Sequence, residues 1–182
     1  MSTNGTPAPE APDPRLQALA LELDRHAAAT GWDSPPHLFA IVETADLLQR
    51  EPQLAAQLGL VMAEPRSLTP VDQGDLPDHA TLEELLGGIA WPPEVLGAAL
   101  TVERVMVPPS VEREMPQDEH EAVQFLSTHP QRQEVRLVVA VLRDGTRACA
   151  IRLRAHDDEQ SVLTGRDLVP GLADALAATL AD

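Results

Sequence analysis

Lysine and tyrosine are absent from this 182-residue chain, and cysteine occurs once. Without lysine there is no Schiff base to pyridoxal phosphate and no phosphate-cradling P-loop lysine. Without tyrosine, one common acid or base is gone. The aromatic residues are two Trp and two Phe. That is too few for the stacking platform that single-stranded nucleic acid requires. Cationic charge is also scarce. Thirteen arginines face 29 acids, and the formal net charge is −16. Such a field repels phosphate backbones and anionic lipid, so neither nucleic acid nor membrane is an expected partner. The lone Cys149 can form no intramolecular disulfide. It falls within a predicted strand, where a thiol behaves as a small buried apolar residue in a reducing compartment. No apolar run approaches the ~20 residues of a membrane span, and the opening residues lack a signal-peptide core. The predicted location is therefore the cytoplasm.

What is present fits a globular domain. Hydrophobic residues make up 43% and charged residues 23%, which are ordinary values. Residues 1–12, rich in Ser, Thr, Pro and Gly, read as a disordered tail, and 13–182 as one α+β domain. Asp13-Pro14 is an N-cap followed by proline at the first helical position. Leu16, Leu19, Ala20, Leu23 and Ala27 follow at helical spacing, and Gly31 stops the helix. Ser34-Pro35 repeats the start signal, with Leu38, Ile41, Val42, Ala45 and Leu48 as a second helical stripe. Pro52 opens a short third helix. The proline-rich, acidic stretch 60–80 reads as a long surface loop, a type often used for function. Thr81 and Glu84 form a capping box, and Asp118 with Glu121 caps another helix. The last helix carries Leu168, Val169, Leu172, Ala173, Leu176 and Leu180, with Asp167 as its candidate cap.

Strand signals appear at about 95–107, 134–143 and 146–155. The last two are joined by Asp144-Gly145, the strongest short-range hairpin signal. The expected fold is α+β: an antiparallel sheet of three or four strands with helices packed mainly on one face. A two-residue turn would pair Val141 with Ala148, Val139 with Ala150, Leu137 with Arg152 and Val135 with Arg154. One face then carries Arg143, Arg152 and Arg154 around an apolar middle. Residues 132–154 hold six arginines against two acids, Glu134 and Asp144. Two readings follow. The arginines pair with the chain's own acids, the commoner arrangement. Alternatively the face receives an acidic partner segment or a small anion, since Arg grips carboxylate and phosphate bidentately. Arg166, close before the last helix, joins Arg143, Arg152 and Arg154 as a candidate binding residue, because helix N-termini attract anions.

No catalytic residue and no metal ligand is predicted. His156-Asp157-Asp158-Glu159 has the composition of a metal or acid–base cluster, but it lies in one polar stretch after a strand, where solvated loops belong. The six histidines are scattered, and neither a nucleophile elbow nor a glycine-rich dinucleotide loop follows a strand. Nothing in the sequence asks for a cofactor.

Four stretches carry a resemblance: Gly31–Ala40 (GWDSPPHLFA), Ile89–Leu100 (IAWPPEVLGAAL), Val135–Gly145 (VRLVVAVLRDG) and Asp167–Leu176 (DLVPGLADAL). The chain resembles, over nearly all of its length after the tail, an uncharacterised family of small acidic actinobacterial proteins with no assigned activity. The resemblance implies a bacterial cytosolic protein from a GC-rich genome and brings no ligand or catalytic residue with it. The expected function is non-enzymatic: a protein-interaction or adaptor-like role, through the hairpin face or the 60–80 loop, toward a protein partner or a second copy. The alternatives are a sensor or carrier of a small anionic metabolite, and a metal-assisted hydrolase built on His156–Glu159.

Overall fold

Asp13 caps the first helix, α1 (Pro14–Thr30), by accepting the Arg15 N–H at 2.9 Å. The computed structural model describes residues 13–62, 64, 66–77 and 81–181. The tail expected over 1–12 lies outside the described residues. Along α1, Leu16, Leu19, Ala20 and Leu23 are buried on one face, as their spacing predicts. Gly31, at φ 101°, ends the helix with its N–H on the Ala27 carbonyl.

The second predicted helix is a strand. β1 (His37–Glu43) runs where the spacing of Leu38, Ile41 and Val42 predicts a helical stripe, and only then does α2 (Thr44–Arg50) begin. The reason lies in burial: Leu38 and Ala40 enter one core while Phe39 and Ile41 enter another. A strand covered on both faces shows a continuous apolar run, which over so short a length is indistinguishable from a buried helix. After α3 (Pro52–Gln57), a second strand lies inside the predicted surface loop. This is β2 (Leu68–Asp75), at the edge of the sheet, opposite β1. Pro70 is part of it. An edge strand tolerates proline because the missing N–H falls on the side without a neighbour.

The remaining elements are α4 (Leu82–Gly87), β3 (Gly97–Met106), α5 (Pro109–Glu112), α6 (Glu119–Thr128), β4 (Gln133–Leu142), β5 (Arg147–Leu153), β6 (Leu163–Gly165) and α7 (Pro170–Ala178). The predicted caps of α4 and α6 form. Thr81 and Glu84 exchange hydrogen bonds of 3.2 Å, and Asp118 accepts the Glu121 N–H at 3.0 Å. Asp167 does not cap α7, which starts three residues later at Pro170.

All neighbouring strands are antiparallel, in the order β2-β1-β3-β4-β5-β6. Among the described residues the sheet thus has six strands, not three or four. Nor do the helices keep mainly to one face. Leu16, Leu19, Ala20 and Leu23 of α1 pack on Phe39, Ile41, Ala99, Val138, Ala140, Leu142, Ala148 and Ala150. On the other face, Leu82 and Leu86 of α4 and Leu172, Ala173 and Leu176 of α7 meet Leu100, Leu137, Val139, Val141 and Cys149. Both cores are apolar because the central strands carry Val, Leu and Ala at successive positions, not at alternate ones.

The hairpin differs from expectation by one residue. β4 ends at Leu142 and β5 starts at Arg147. Leu142 N–H donates to the Thr146 carbonyl (2.9 Å) and Gly145 N–H to the Leu142 carbonyl (3.0 Å). Gly145 is at φ 90° while Asp144 keeps a negative φ, and the Asp144 carboxylate accepts the Thr146 N–H at 2.9 Å. This is a three-residue loop closed by a glycine bulge, where a two-residue turn would need positive φ at both Asp144 and Gly145. The pairs are therefore Val141 with Arg147, Val139 with Cys149, Leu137 with Ile151 and Val135 with Leu153. Arg152 lies opposite Arg136. A shift of one residue moves every β5 side chain relative to β4, so the expected arginine-rimmed face does not form.

At the other end of the sheet, His37 spans the β1–β2 edge. Its Nδ1 meets Asp75 at 2.7 Å and its Nε2 meets Asp72 at 2.6 Å. The register shifts here between Leu38 and Phe39, and Asp72 also accepts the Gly74 N–H. Two carboxylates on one ring call for two N–H donors, the imidazolium form. Burial alone would lower the pKa, but the hydrogen bonds to Asp75 and Asp72, with their charges, outweigh it and raise it above the ordinary 6.5. A raised folded-state value stabilises fully below about pH 6.5 and is lost as pH rises through the folded pKa. His37→Gln is accordingly expected to destabilise the protein at pH 6 more than at pH 9 in urea unfolding. An equal loss at both pH values would show that His37 acts by packing alone.

Candidate functional site

The arginines singled out in the sequence go to different places. Arg152 points into the α1 side of the sheet. Its Nη2 lies 2.7 Å and its Nε 3.1 Å from Asp24 Oδ2, and Nη1 donates to Asp157 at 3.1 Å. Arg152 is 3% exposed and Asp24 1%. Beside them, in register, stand Arg136 and then Glu103. Arg136 is 2% exposed, and its Nη2 donates to the Gly31 carbonyl at 2.7 Å. Its guanidinium lies over the Trp32 ring at 4.4 Å, and among the described residues its Nη1 has no hydrogen-bond partner. Burial pulls the Arg136 pKa down, while Glu103, Asp24 and Asp157 oppose that shift.

Trp32 ties the cluster together. Its Nε1 donates to Asp157 at 3.0 Å, and Arg154 approaches the same ring at 5.5 Å. Arg154 also donates to Asp33 (3.0 and 3.3 Å) and Glu134 (3.3 Å). Glu103 accepts the N–H groups of Asp33 and Ser34 at 2.9 and 2.7 Å. Asp33, at φ 65°, is thereby held in a left-handed conformation uncommon for a residue with a side chain. The whole arrangement fastens the chain after α1 to the ends of β3, β4 and β5. Arg152 and Arg154 are engaged by the protein's own acids. Asp24 escaped the sequence reading although a signal was there: Leu16, Ala20 and Asp24 fall in one helical row, and the row is otherwise apolar.

Arg143 is held by carbonyl groups. Its Nε donates to Val95 O (2.7 Å), Nη1 to Leu180 O (2.6 Å) and Nη2 to Trp91 O and Pro92 O (3.2 and 3.1 Å). It joins the hairpin to the chain just after α7 and to the segment before β3. Arg166 lies exposed between β6 and α7, with its carbonyl 3.7 Å from the Cys149 sulfur. Cys149 is fully buried, and desolvation pushes its thiol pKa up. The His156–Glu159 stretch diverges: Asp157 turns to Arg152 and Trp32, and Asp158 accepts from Ser161 N and Oγ at 2.8 and 3.0 Å. Among the described residues, no group of three metal-ligating side chains is found. No described helix is long and apolar enough to cross a membrane.

A different surface lies on α2, α3 and the chain after them. A hollow of about 270 Å³ is lined by Val42, Asp46, Leu47, Arg50, Glu51 and Glu94, with Arg50 and Glu94 3.4 Å apart. α3 buries only Ala55. Beyond it, Val61 is 90% exposed and Met62 82%. The sequence reading placed the start of its surface loop here but did not single out these side chains.

A family model described as PPA1309-like protein matches residues 16–181, and the chain belongs to that family. No curated protein matches the chain. No solved structure matches it.

The buried Asp24–Arg152 pair sets a clear expectation. Removing one partner leaves an uncompensated charge in an apolar layer, a loss of about 3–5 kcal/mol. Arg152→Met should therefore lower the urea midpoint strongly with little change in the slope m. The double variant Asp24→Leu/Arg152→Met should recover most of that loss. A single variant within about 1 kcal/mol of wild type would mean that the pair does not hold α1 on the sheet.

Proposed function

We propose that this PPA1309-like family member is a non-enzymatic, adaptor-like protein that docks a basic, amphipathic segment of a partner protein. The docking surface is α2, α3 and the segment through Met62. The near-complete exposure of Val61 and Met62 carries the reading. Two adjacent large apolar side chains held in water lose free energy that a partner restores by covering them. The hollow on α2 supplies the matching polarity, with three acids, Asp46, Glu51 and Glu94, against Arg50. A net charge of −16 steers a basic partner toward the chain over a distance of about one Debye length. In this reading Arg152 and Arg154 hold α1 and the chain after it on the sheet and take no part in docking. The cytoplasm, where a lone buried thiol stays reduced, is the compartment that suits it.

A photo-crosslinking residue placed at Val61 tests the proposal in cells, with the same residue at exposed Glu119 as the control. A discrete adduct is expected from position 61 only. It should weaken when Asp46→Asn and Glu51→Gln remove the acids, and the captured segment should be basic. Equal adducts from both positions, or an adduct indifferent to the acid substitutions, would overturn the reading.

A further inference from the structure

A hollow of about 340 Å³ opens at the end of the sheet opposite the Trp32 network. It lies where β1 ends, β2 begins and the β4–β5 hairpin turns. Its size is at the lower end of the ~300–1,000 Å³ of small-molecule sites. Leu68, Leu96 and Leu142 give it apolar walls, and charged groups of both signs line the rest.

Most of those charges are already engaged. Arg15 holds Asp13 at 3.0 Å and donates from Nη1 to the Arg66 carbonyl at 2.7 Å. Arg143 is fixed by the carbonyl groups described above. Asp144 accepts the Thr146 N–H. Two groups remain. Glu43 is half-buried at the end of β1, and Arg66 is exposed at the entry to β2. Among the described residues, neither side chain makes a hydrogen bond or an ion pair, with each other or with a neighbour.

The backbone around these two charges is built firmly. Arg66 sits at φ 62°, a conformation uncommon for a residue with a side chain. The Arg15 hydrogen bond secures it. Glu43 is paired with Leu68 in the ladder, and the Thr44 N–H donates to the Ser67 carbonyl at 2.9 Å. An unpaired carboxylate at the end of β1 and an unpaired guanidinium just before β2 are thus carried by two strands locked side by side, with leucines around them.

We infer that this hollow binds a free α-amino acid with an apolar side chain. Arg66 receives the carboxylate, in the two-pronged geometry that a guanidinium favours. Glu43 receives the ammonium. Leu68, Leu96 and Leu142 cover the side chain. A simple anion would meet Glu43 unfavourably, and a simple cation would meet Arg66 unfavourably, so the zwitterion is the species that satisfies both. The site is separate from the docking surface proposed above, and it gives the chain the means to sense or carry a small metabolite.

Calorimetry and thermal unfolding of the full chain decide the matter. The probes are L-leucine, glycine, 4-methylpentanoate, which lacks the ammonium, and 3-methylbutylamine, which lacks the carboxylate. Leucine is expected to bind saturably and raise Tm by mass action. Glycine and both truncated analogues should bind at least about tenfold more weakly, each having lost one contact. Arg66→Gln and Glu43→Gln should each weaken leucine by a similar factor while leaving the unliganded Tm unchanged, since neither side chain supports the fold. Absence of leucine binding up to about 10 mM would overturn the inference. So would 4-methylpentanoate binding as tightly as leucine, the mark of a plain anion site, or variants that retain wild-type affinity. None of these results bears on the crosslink at Val61.

Discussion

The central strands of this sheet are covered on both sides, and the rest of the molecule answers to that constraint. α1 lies on one face of β3, β4 and β5, with α4 and α7 on the other. A chain with two Phe and two Trp must fill these layers with small and branched side chains. On the α1 side it uses Ala99, Ala140, Ala148 and Ala150, which let the helix approach closely. Close approach brings dispersion contacts that individually contribute little and together much. The same closeness leaves no solvent for Asp24, so the helix can settle only where Arg152 meets it.

That requirement explains why charge appears inside an otherwise apolar layer. Glu103, Arg136 and Arg152 stand across three adjacent strands at one end of the sheet. Asp24 and Asp157 reach them from outside the sheet, and Trp32 lies over Arg136. Buried pairs of this kind add little net stability over apolar replacements, but a wrongly seated helix would strand several charges at once. The network thus joins α1 to three strands through charges that match only in this seating. The opposite end of the sheet is organised differently. There Arg143 binds carbonyl oxygens, and Glu43 and Arg66 are left facing an open hollow.

Local chemistry was the part of the fold most readable in the sequence. The caps at Asp13, Thr81 and Asp118, the proline starts at Pro14 and Pro52, and the strands β3, β4 and β5 all follow from side-chain type and spacing. What failed required knowledge of neighbours. β1 looked helical because both its faces are buried. β2 looked like a loop because Pro70 and acids suit an edge strand as well as a loop. The hairpin slipped by one residue because Asp-Gly serves two loop lengths, and the Asp144 carboxylate on the Thr146 N–H goes with the longer one. That slip also separated the candidate arginines. Of the four, Arg143 alone lines the larger hollow, and its partners Arg15, Arg66 and Glu43 come from distant parts of the chain that no spacing rule connects.

The outer strand β2 carries a proline, an extra residue opposite the Leu38–Phe39 step, and two carboxylates near its end. A foreign strand arriving alongside would find a donor missing at Pro70, the repeat thrown out of step, and negative charge where it tried to align. This border is poorly suited to templating growth. A chain so rich in valine strands is thereby protected on that flank from stacking into fibrils, which leaves the three-residue β6 as the sheet's other border.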